Sequence, residues 1–243
     1  MDPAYAQRYR DLATRHWWWR ARNDSVREIG ARLLGSRRDA AILDIGCGDG
    51  VLFPFFSKFG EIEGIEPDAG VVSDESPWRQ RIQIRPFDDS FAPGRRYDLI
   101  VMLDVLEHIE DPRRALGHVH DLLAPDGRLL LTVPAFQLLW THHDELNRHF
   151  RRYTKAGLLS VVQGSGLRVL ESWYAFQWLF LAKLVERVRE RVAGPSPPEE
   201  VPAERLNETL YRVCAVEQRI TSRYMPFGSS LLAVIARDDA PLR

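Results

Sequence analysis

The stretch Ala41-Ile42-Leu43-Asp44-Ile45-Gly46-Cys47-Gly48-Asp49-Gly50 runs from a buried-strand pattern straight into a turn that carries three glycines. Lacking a Cβ, glycine takes positive φ at little cost and lets a ligand approach the backbone closely. The junction is therefore read as the floor of a nucleotide-type pocket. A dinucleotide site would read G-x-G-x-x-G, its third glycine allowing tight helix-on-strand packing and its helix start taking a pyrophosphate. Val51 stands where that glycine belongs. A second landmark, Glu66, ends the short apolar stretch Glu61 to Ile65, about twenty residues downstream, where a carboxylate commonly takes ribose hydroxyls. Together the two features fit adenosine without a pyrophosphate, and they count against a nicotinamide dehydrogenase.

Outward from this turn the chain alternates. Ile42 to Ile45, Ile62 to Ile65, Ile82 to Ile84, Leu99 to Leu103 and Leu129 to Val133 are short apolar strand candidates separated by helix-length or loop segments. That pattern predicts an α/β fold, a mostly parallel sheet wrapped by helices. Arg113 to Ala124 puts Leu116, Val119, Leu122 and Leu123 on one helical face, and Pro125-Asp126-Gly127 supplies a turn. Tyr5 to Leu34 reads as a helix preceding the core. Pro134 to Tyr153, rich in histidine, arginine and aromatic residues, has no clear period and reads as a loop or lid. Thr154 can cap a helix running to Gly164, Leu167 to Trp173 reads as a strand, and Ala175 to Val192 as a helix. The proline-rich run Gly194 to Pro202 cannot continue that helix. A further helix over Ala203 to Tyr224 and a last strand over Ser229 to Ala236 complete the chain, with no internal repeat.

At 243 residues the chain suits a single domain with elaborations and can bury a full core. A formal net charge of −1 gives no field to gather nucleic acid or acidic lipid. Cys47 and Cys214 form neither a C-x-x-C motif nor a Cys/His ligand group, so a reduced, cytoplasmic setting is expected. The charged N-terminus lacks the apolar core of a signal peptide, and no uncharged segment reaches membrane-spanning length.

The chain resembles the class I S-adenosylmethionine-dependent methyltransferases. The blocks that carry the resemblance are Leu43 to Gly50, Gly64-Ile65-Glu66-Pro67, Tyr97 to His108 and Leu123 to Leu129, in order and at compatible spacing. The closing block Pro226 to Val234 and the segment His142 to Thr154 resemble one broad branch of that family, which acts on many substrate types. The resemblance implies a Rossmann-like, seven-stranded sheet with an antiparallel last strand. Around it would sit a helical N-terminal lid over residues 1–38 and a helical insertion over 175–225. It also implies S-adenosylmethionine as methyl donor, S-adenosylhomocysteine as product and a small-molecule acceptor.

Site residues follow from the resemblance and from the residues themselves. The glycine turn Gly46-Cys47-Gly48 is assigned to the methionine part of the donor, and Glu66 with Pro67 to the ribose. Asp44 would hold the turn's amides or meet the methionine ammonium. Phe87 and Asp88 occupy the position that meets adenine in related enzymes, although the shifted acid leaves Asp88 and Asp89 both open. Leu103 and Asp104 end the fourth strand at the crevice edge. In His16-Trp17-Trp18-Trp19-Arg20-Ala21-Arg22, a segment resembling one that closes over the donor, Trp18 could face a sulfonium and Arg22 pair with the methionine carboxylate. Plain helix packing is the competing reading of the tryptophans.

A sulfonium is an already activated methyl donor, so orientation and water exclusion carry most of the catalysis, and a base matters when the acceptor is a hydroxyl or a protonated amine. Candidate bases are His108, His143, His149 and Tyr153, with the holding of a turn as the alternative role for His108. His142, Asp144, Arg151 and Arg152 are candidate acceptor contacts. The spacing His142, Asp144, His149 invites a metal reading, but no helical period joins them and no metal site is expected. The apolar stretch Trp173 to Ala182, with Trp173 and Phe176, could line an acceptor pocket, make a homodimer contact or touch a membrane surface. The expected activity is methyl transfer to oxygen or nitrogen of a small molecule. A lipid-linked or glycan acceptor and a non-catalytic donor-binding protein are the alternatives.

Overall fold

The computed structural model describes residues 3–196, 199–220 and 224–240, with side chains from Arg8 onward. Seven strands form one sheet in the order β3-β2-β1-β4-β5-β7-β6: β1 (Ala40–Ile45), β2 (Gly60–Glu66), β3 (Ile82–Ile84), β4 (Tyr97–Leu103), β5 (Leu123–Pro134), β6 (Leu167–Ala175) and β7 (Ser230–Arg237). All pairings are parallel except those of β7, which runs antiparallel between β5 and β6. The sheet agrees with the implied topology, last strand included.

Because successive side chains alternate across a strand, a sheet covered on both faces needs apolar residues at every position of its central strands. One face packs Leu43, Ile45, Ile100 and Met102 against α4 (Pro112–Leu122) and α6 (Lys155–Val162), through Leu116, Val119, Leu158 and Val162. The other packs Ile42, Leu99, Val101 and Leu130 against α2 (Trp17–Leu34) and α3 (Phe53–Phe56), through Val26, Ile29, Phe53 and Phe56. The helices α7 (Gln177–Ala193) and α8 (Glu204–Ile220) stand on the α2 side, where Cys214 of α8 is fully buried. No helix among the described residues is long and apolar enough to cross a membrane.

Three local expectations change. The expected N-terminal helix is two: α1 (Pro3–Arg15) and α2 part at His16, whose backbone is extended and whose Nδ1 accepts from the Trp18 amide. Asn207 of α8 clasps the break, accepting from the Trp17 amide at 2.9 Å and donating to the Arg15 carbonyl at 2.8 Å. The Pro125-Asp126-Gly127 turn lies inside β5 as an outward excursion, with Tyr97 opposite Leu123 but Leu99 opposite Arg128. Gly127 is required there, since a Cβ would stand 2.6 Å from the Tyr97 carbonyl oxygen. The supposed loop 134–153 contains α5 (His142–Leu146), whose capping box joins Thr141 and Asp144. The expected reach of the α8 segment to Tyr224 crosses 221–223, and the centre of the proline-rich break is 197–198; both lie outside the described residues.

Candidate active site

The strand order reverses between β1 and β4, and open α/β sheets take ligands at that point, beyond the carboxyl ends of the strands. β1 delivers Asp44 and the glycine turn there, and β4 delivers Leu103 and Asp104. Gly46 takes φ +73, and a Cβ on it would meet Val105 Cγ2 at 2.3 Å, so the turn tolerates only glycine. The turn is tied to β2: the Gly46 amide donates to the Ile65 carbonyl at 2.8 Å, and the Gly48 amide donates to Glu66 Oε2 at 3.0 Å. Glu66 Oε1 accepts the Asp68 amide at 3.0 Å. Burial raises the Glu66 carboxyl above its usual range while these two amides pull it back. Each oxygen keeps a second lone pair, which a diol can use. Pro67 follows, exposed.

Asp44 lines a cavity of about 60 Å³ together with Gly46, Cys47, Gly48, Leu103 and Arg22. It is 3% exposed, and no hydrogen bond reaches its carboxylate among the described residues. Burial pushes its carboxyl up to about 7, with the Arg22 charge opposing and Glu66 adding. The Cys47 thiol is pushed up too, by burial and then by Asp44 and Glu66, so it stays neutral. Tyr9, Arg10, Ala13 and Thr14 of α1 roof this cavity, and Arg10 latches the roof through the Gly70 carbonyl at 2.8 Å. Arg22 donates to Asp104 Oδ2 at 2.5 Å and to Asn23 Oδ1, with its guanidinium 5.1 Å from the Trp18 ring. Asp104 takes φ +53, a conformation that costs an L-residue energy and often marks functional sites.

Arg22 and Tyr9 also border a second cavity of about 270 Å³. Into it face Trp18, Asp104, Glu107, His108, His143, His149 and Arg152, with Leu179, Lys183 and Glu186 of α7 forming one wall. Asp144 organises the α5 side. Its Oδ1 accepts from His149 Nδ1 and Arg152 Nε, both at 2.8 Å, and its Oδ2 accepts from Arg152 Nη2 at 2.8 Å and the Thr141 amide at 2.9 Å. Burial alone would raise the Asp144 carboxyl, but the hydrogen bonds from His149 and Arg152 outweigh it and hold it far below the carboxylate range. The Phe150 amide donates to the Glu107 carbonyl at 2.8 Å, pinning this segment to the end of β4. Burial drives His108 down to about 4, aided by neighbouring His149, and lowers His143 as well. Glu107 is wholly buried, and burial followed by the Asp104 charge pushes its carboxyl well above the usual range.

The remaining expected site residues lie elsewhere. Tyr153 is buried with its hydroxyl 3.4 Å from the Leu106 carbonyl, and burial pushes its phenol up to about 12. His142 faces Glu145 on the outer side of α5, and Arg151 donates to the Glu110 carbonyl. Trp173 and Phe176 are buried in the core, Phe176 against Trp18. Phe87 packs on His118, while exposed Asp88 caps its own turn through the Ser90 amide. Asp89 pairs with Arg114. The grouping of His142 with Asp144 and His149 is not formed, because Arg152 and His149 fill Asp144 and His142 turns to Glu145. Sequence reasoning gave no role to Glu107, Tyr9 or Asn23, and of the α7 wall it reached only the stretch ending at Ala182, which contains Leu179, not Lys183 or Glu186. The spacing Leu179, Lys183, Glu186, one helical face, was the available signal for the last two.

The family model of the methyltransferase domain matches residues 18–172. The ubiquinone biosynthesis O-methyltransferase of Rhodopseudomonas palustris (strain HaA2) is 22% identical over 204 residues, 74% of this chain and 71% of that protein. The protein of the same name from Azorhizobium caulinodans is 29% identical over 127 residues, 46% of this chain and 50% of the relative. Among solved structures, an S-adenosylmethionine-dependent methyltransferase from Clostridium acetobutylicum superposes with a TM-score of 0.60 at 13% identity, covering 96% of this chain and 98% of that one. Magnesium protoporphyrin IX methyltransferase from Synechocystis, with S-adenosylhomocysteine bound, gives 0.57 at 15% identity over 96% and 94%. With the family match over most of the chain, a cradle only glycine can form and an unpartnered buried carboxylate at its floor, the chain belongs to the methyltransferase domain family and is a class I S-adenosylmethionine-dependent methyltransferase.

Proposed function

We propose that this enzyme methylates a hydroxyl oxygen of a small molecule held in the 270 Å³ cavity, beside a donor seated on the glycine turn. The observation that carries the reading is the convergence of His108, His143 and His149 on one cavity at the end of β4. Burial keeps His108 and His143 neutral near pH 7, so they are proton acceptors there. A neutral amine would need no such base.

The sulfonium donor supplies a methyl group with a neutral leaving group. Asp44 meets its ammonium, Arg22 holds its carboxylate end, and Glu66 takes the ribose diol. Leu103 and Asp104 set the edge across which the acceptor oxygen is aligned, and α1 with Trp18 shuts out water. An imidazole takes the hydroxyl proton. The oxygen's electron pair then forms the new O–CH₃ bond as the old C–S bond's pair remains on sulfur.

Transfer of labelled methyl groups to a panel of small hydroxyl and amine acceptors tests the reading. Turnover on hydroxyls that falls in His149→Ala, with donor affinity retained, is the expected result; turnover on amines alone contradicts it. A lipid-linked acceptor is the second reading. It is favoured by the stripe Leu181, Val185, Val188 and Val192, between 58% and 86% exposed, on the same helix that walls the cavity. Co-sedimentation with anionic liposomes that is lost in Val185→Asp would support it.

A further inference from the structure

We propose that Glu107, His108 and His149 form a binding site for one divalent transition-metal cation at the acceptor end of the crevice. One ligand atom from each lies within 4.8 Å of the other two. Roughly 3.4 Å separates ligand atoms in a tetrahedral site with ~2.1 Å bonds, so closure on an ion asks only for small side-chain rotations.

Glu107 has 0% exposure, and among the described residues neither carboxylate oxygen has a partner beyond its own backbone amide. A buried carboxyl left in that state is costly, and an ion beside it would be shared with His108 of its own turn and with His149, which arrives from the segment after α5. Both imidazoles arrive with one nitrogen already committed. His149 Nδ1 is held by Asp144 at 2.8 Å, which leaves Nε2 for a ligand, and Asp144 is itself fixed by two hydrogen bonds from Arg152. His108 bonds the Asn147 backbone carbonyl. Ligating histidines characteristically have their second nitrogen pinned by a carboxylate or a carbonyl, which sets the tautomer and the ring orientation. The two rings stand nearly perpendicular with centroids 4.5 Å apart. Two imidazoles and one carboxylate suit zinc, iron, manganese or cobalt rather than magnesium or calcium, which prefer all-oxygen sites.

The site opens on the second cavity, next to Asp104. A cation there would hold an acceptor oxygen and ease loss of its proton to His143, the imidazole of the cavity that the ion leaves free, a role that rests on the hydroxyl reading above. Binding of the ion does not depend on that reading.

The test uses the full chain stripped with a chelator and titrated with cobalt(II), read by its visible absorption, with zinc as competitor. One equivalent should bind. Glu107→Gln and His149→Ala should each weaken binding by about 100-fold or more, while His120→Ala on α4 leaves it unchanged. Circular dichroism checks that each variant is folded, and His108→Ala replaces either one that is not. Absence of cobalt uptake by the wild-type protein, or wild-type affinity in folded Glu107→Gln or His149→Ala, overturns the site. Cobalt bound in the predicted manner by a protein that methylates no hydroxyl supports the site and counts against the hydroxyl reading.

Discussion

In the proposed site Asp44 links donor binding to a proton. Its carboxyl is buried, unpartnered among the described residues, and pushed up to about 7, so at pH 6 about nine-tenths of the donor-free protein carries it protonated. If the methionine ammonium requires the ionised form, binding at pH 6 releases close to one proton. Apparent affinity then weakens about 50-fold between pH 7 and pH 5, about 2.3 kcal/mol at ~1.4 kcal/mol per tenfold. Above roughly pH 8 the ligand's own α-amino group deprotonates and affinity falls again. The same raised value acts on folding with the opposite sign. The folded state binds the extra proton, so the contribution is fully present below the unfolded value of 3.8 and is lost as pH rises through about 7. That loss amounts to about 4 kcal/mol at ~1.4 kcal/mol per tenfold. Calorimetry with S-adenosylhomocysteine in buffers of different ionisation enthalpy reads the proton directly. Asp44→Asn should bind more weakly, with no proton release and a flat profile below pH 7. A wild-type affinity that is constant from pH 5 to 7, with no proton exchanged, would refute the pairing.

Glu66→Ala should weaken donor binding by about 1–3 kcal/mol, the cost of stranding polar partners, and also lower the melting temperature, because the Gly48 and Asp68 amides lose their acceptor. Unchanged affinity by the same calorimetry would remove Glu66 from the ribose. Arg152→Met leaves the Asp144 carboxylate buried without its main partner and should destabilise the fold by about 3–5 kcal/mol in urea unfolding. Asp144→Asn in that background should recover part of the loss, and no recovery would contradict the ion-pair account. His149→Ala should lower kcat far more than it raises the donor Kd, whereas equal losses would make His149 structural.

The sheet was legible because its central strands are buried on both faces and so read as unbroken apolar runs, and because the glycine turn leaves few alternatives at Gly46. The break at His16 was not, since the sequence on either side is compatible with one helix and the clasp comes from Asn207, 190 residues away from Trp17. The proposed donor half of the site lies largely in two neighbouring turns, whose residues suggested it in the sequence. The cavity proposed for the acceptor is assembled from the end of β4, from α5 and its following loop, and from α7. In the spacing His142, Asp144, His149, which the sequence did not support as a metal site, His149 reaches Asp144 but His142 turns to Glu145, while Glu107 and His149, far apart in sequence, come close. Asp144 and Arg152 likewise read as acceptor contacts from their charge, yet each consumes most of the other's hydrogen-bonding capacity.

A crystal structure with S-adenosylhomocysteine bound tests the central claim most directly. The account predicts the amino-acid end over Gly46 and Gly48 within reach of Asp44, the ribose diol on Glu66, and the sulfur beside Asp104 facing the His108 and His149 cavity. A product bound away from the glycine turn, or no binding by folded protein, would contradict it.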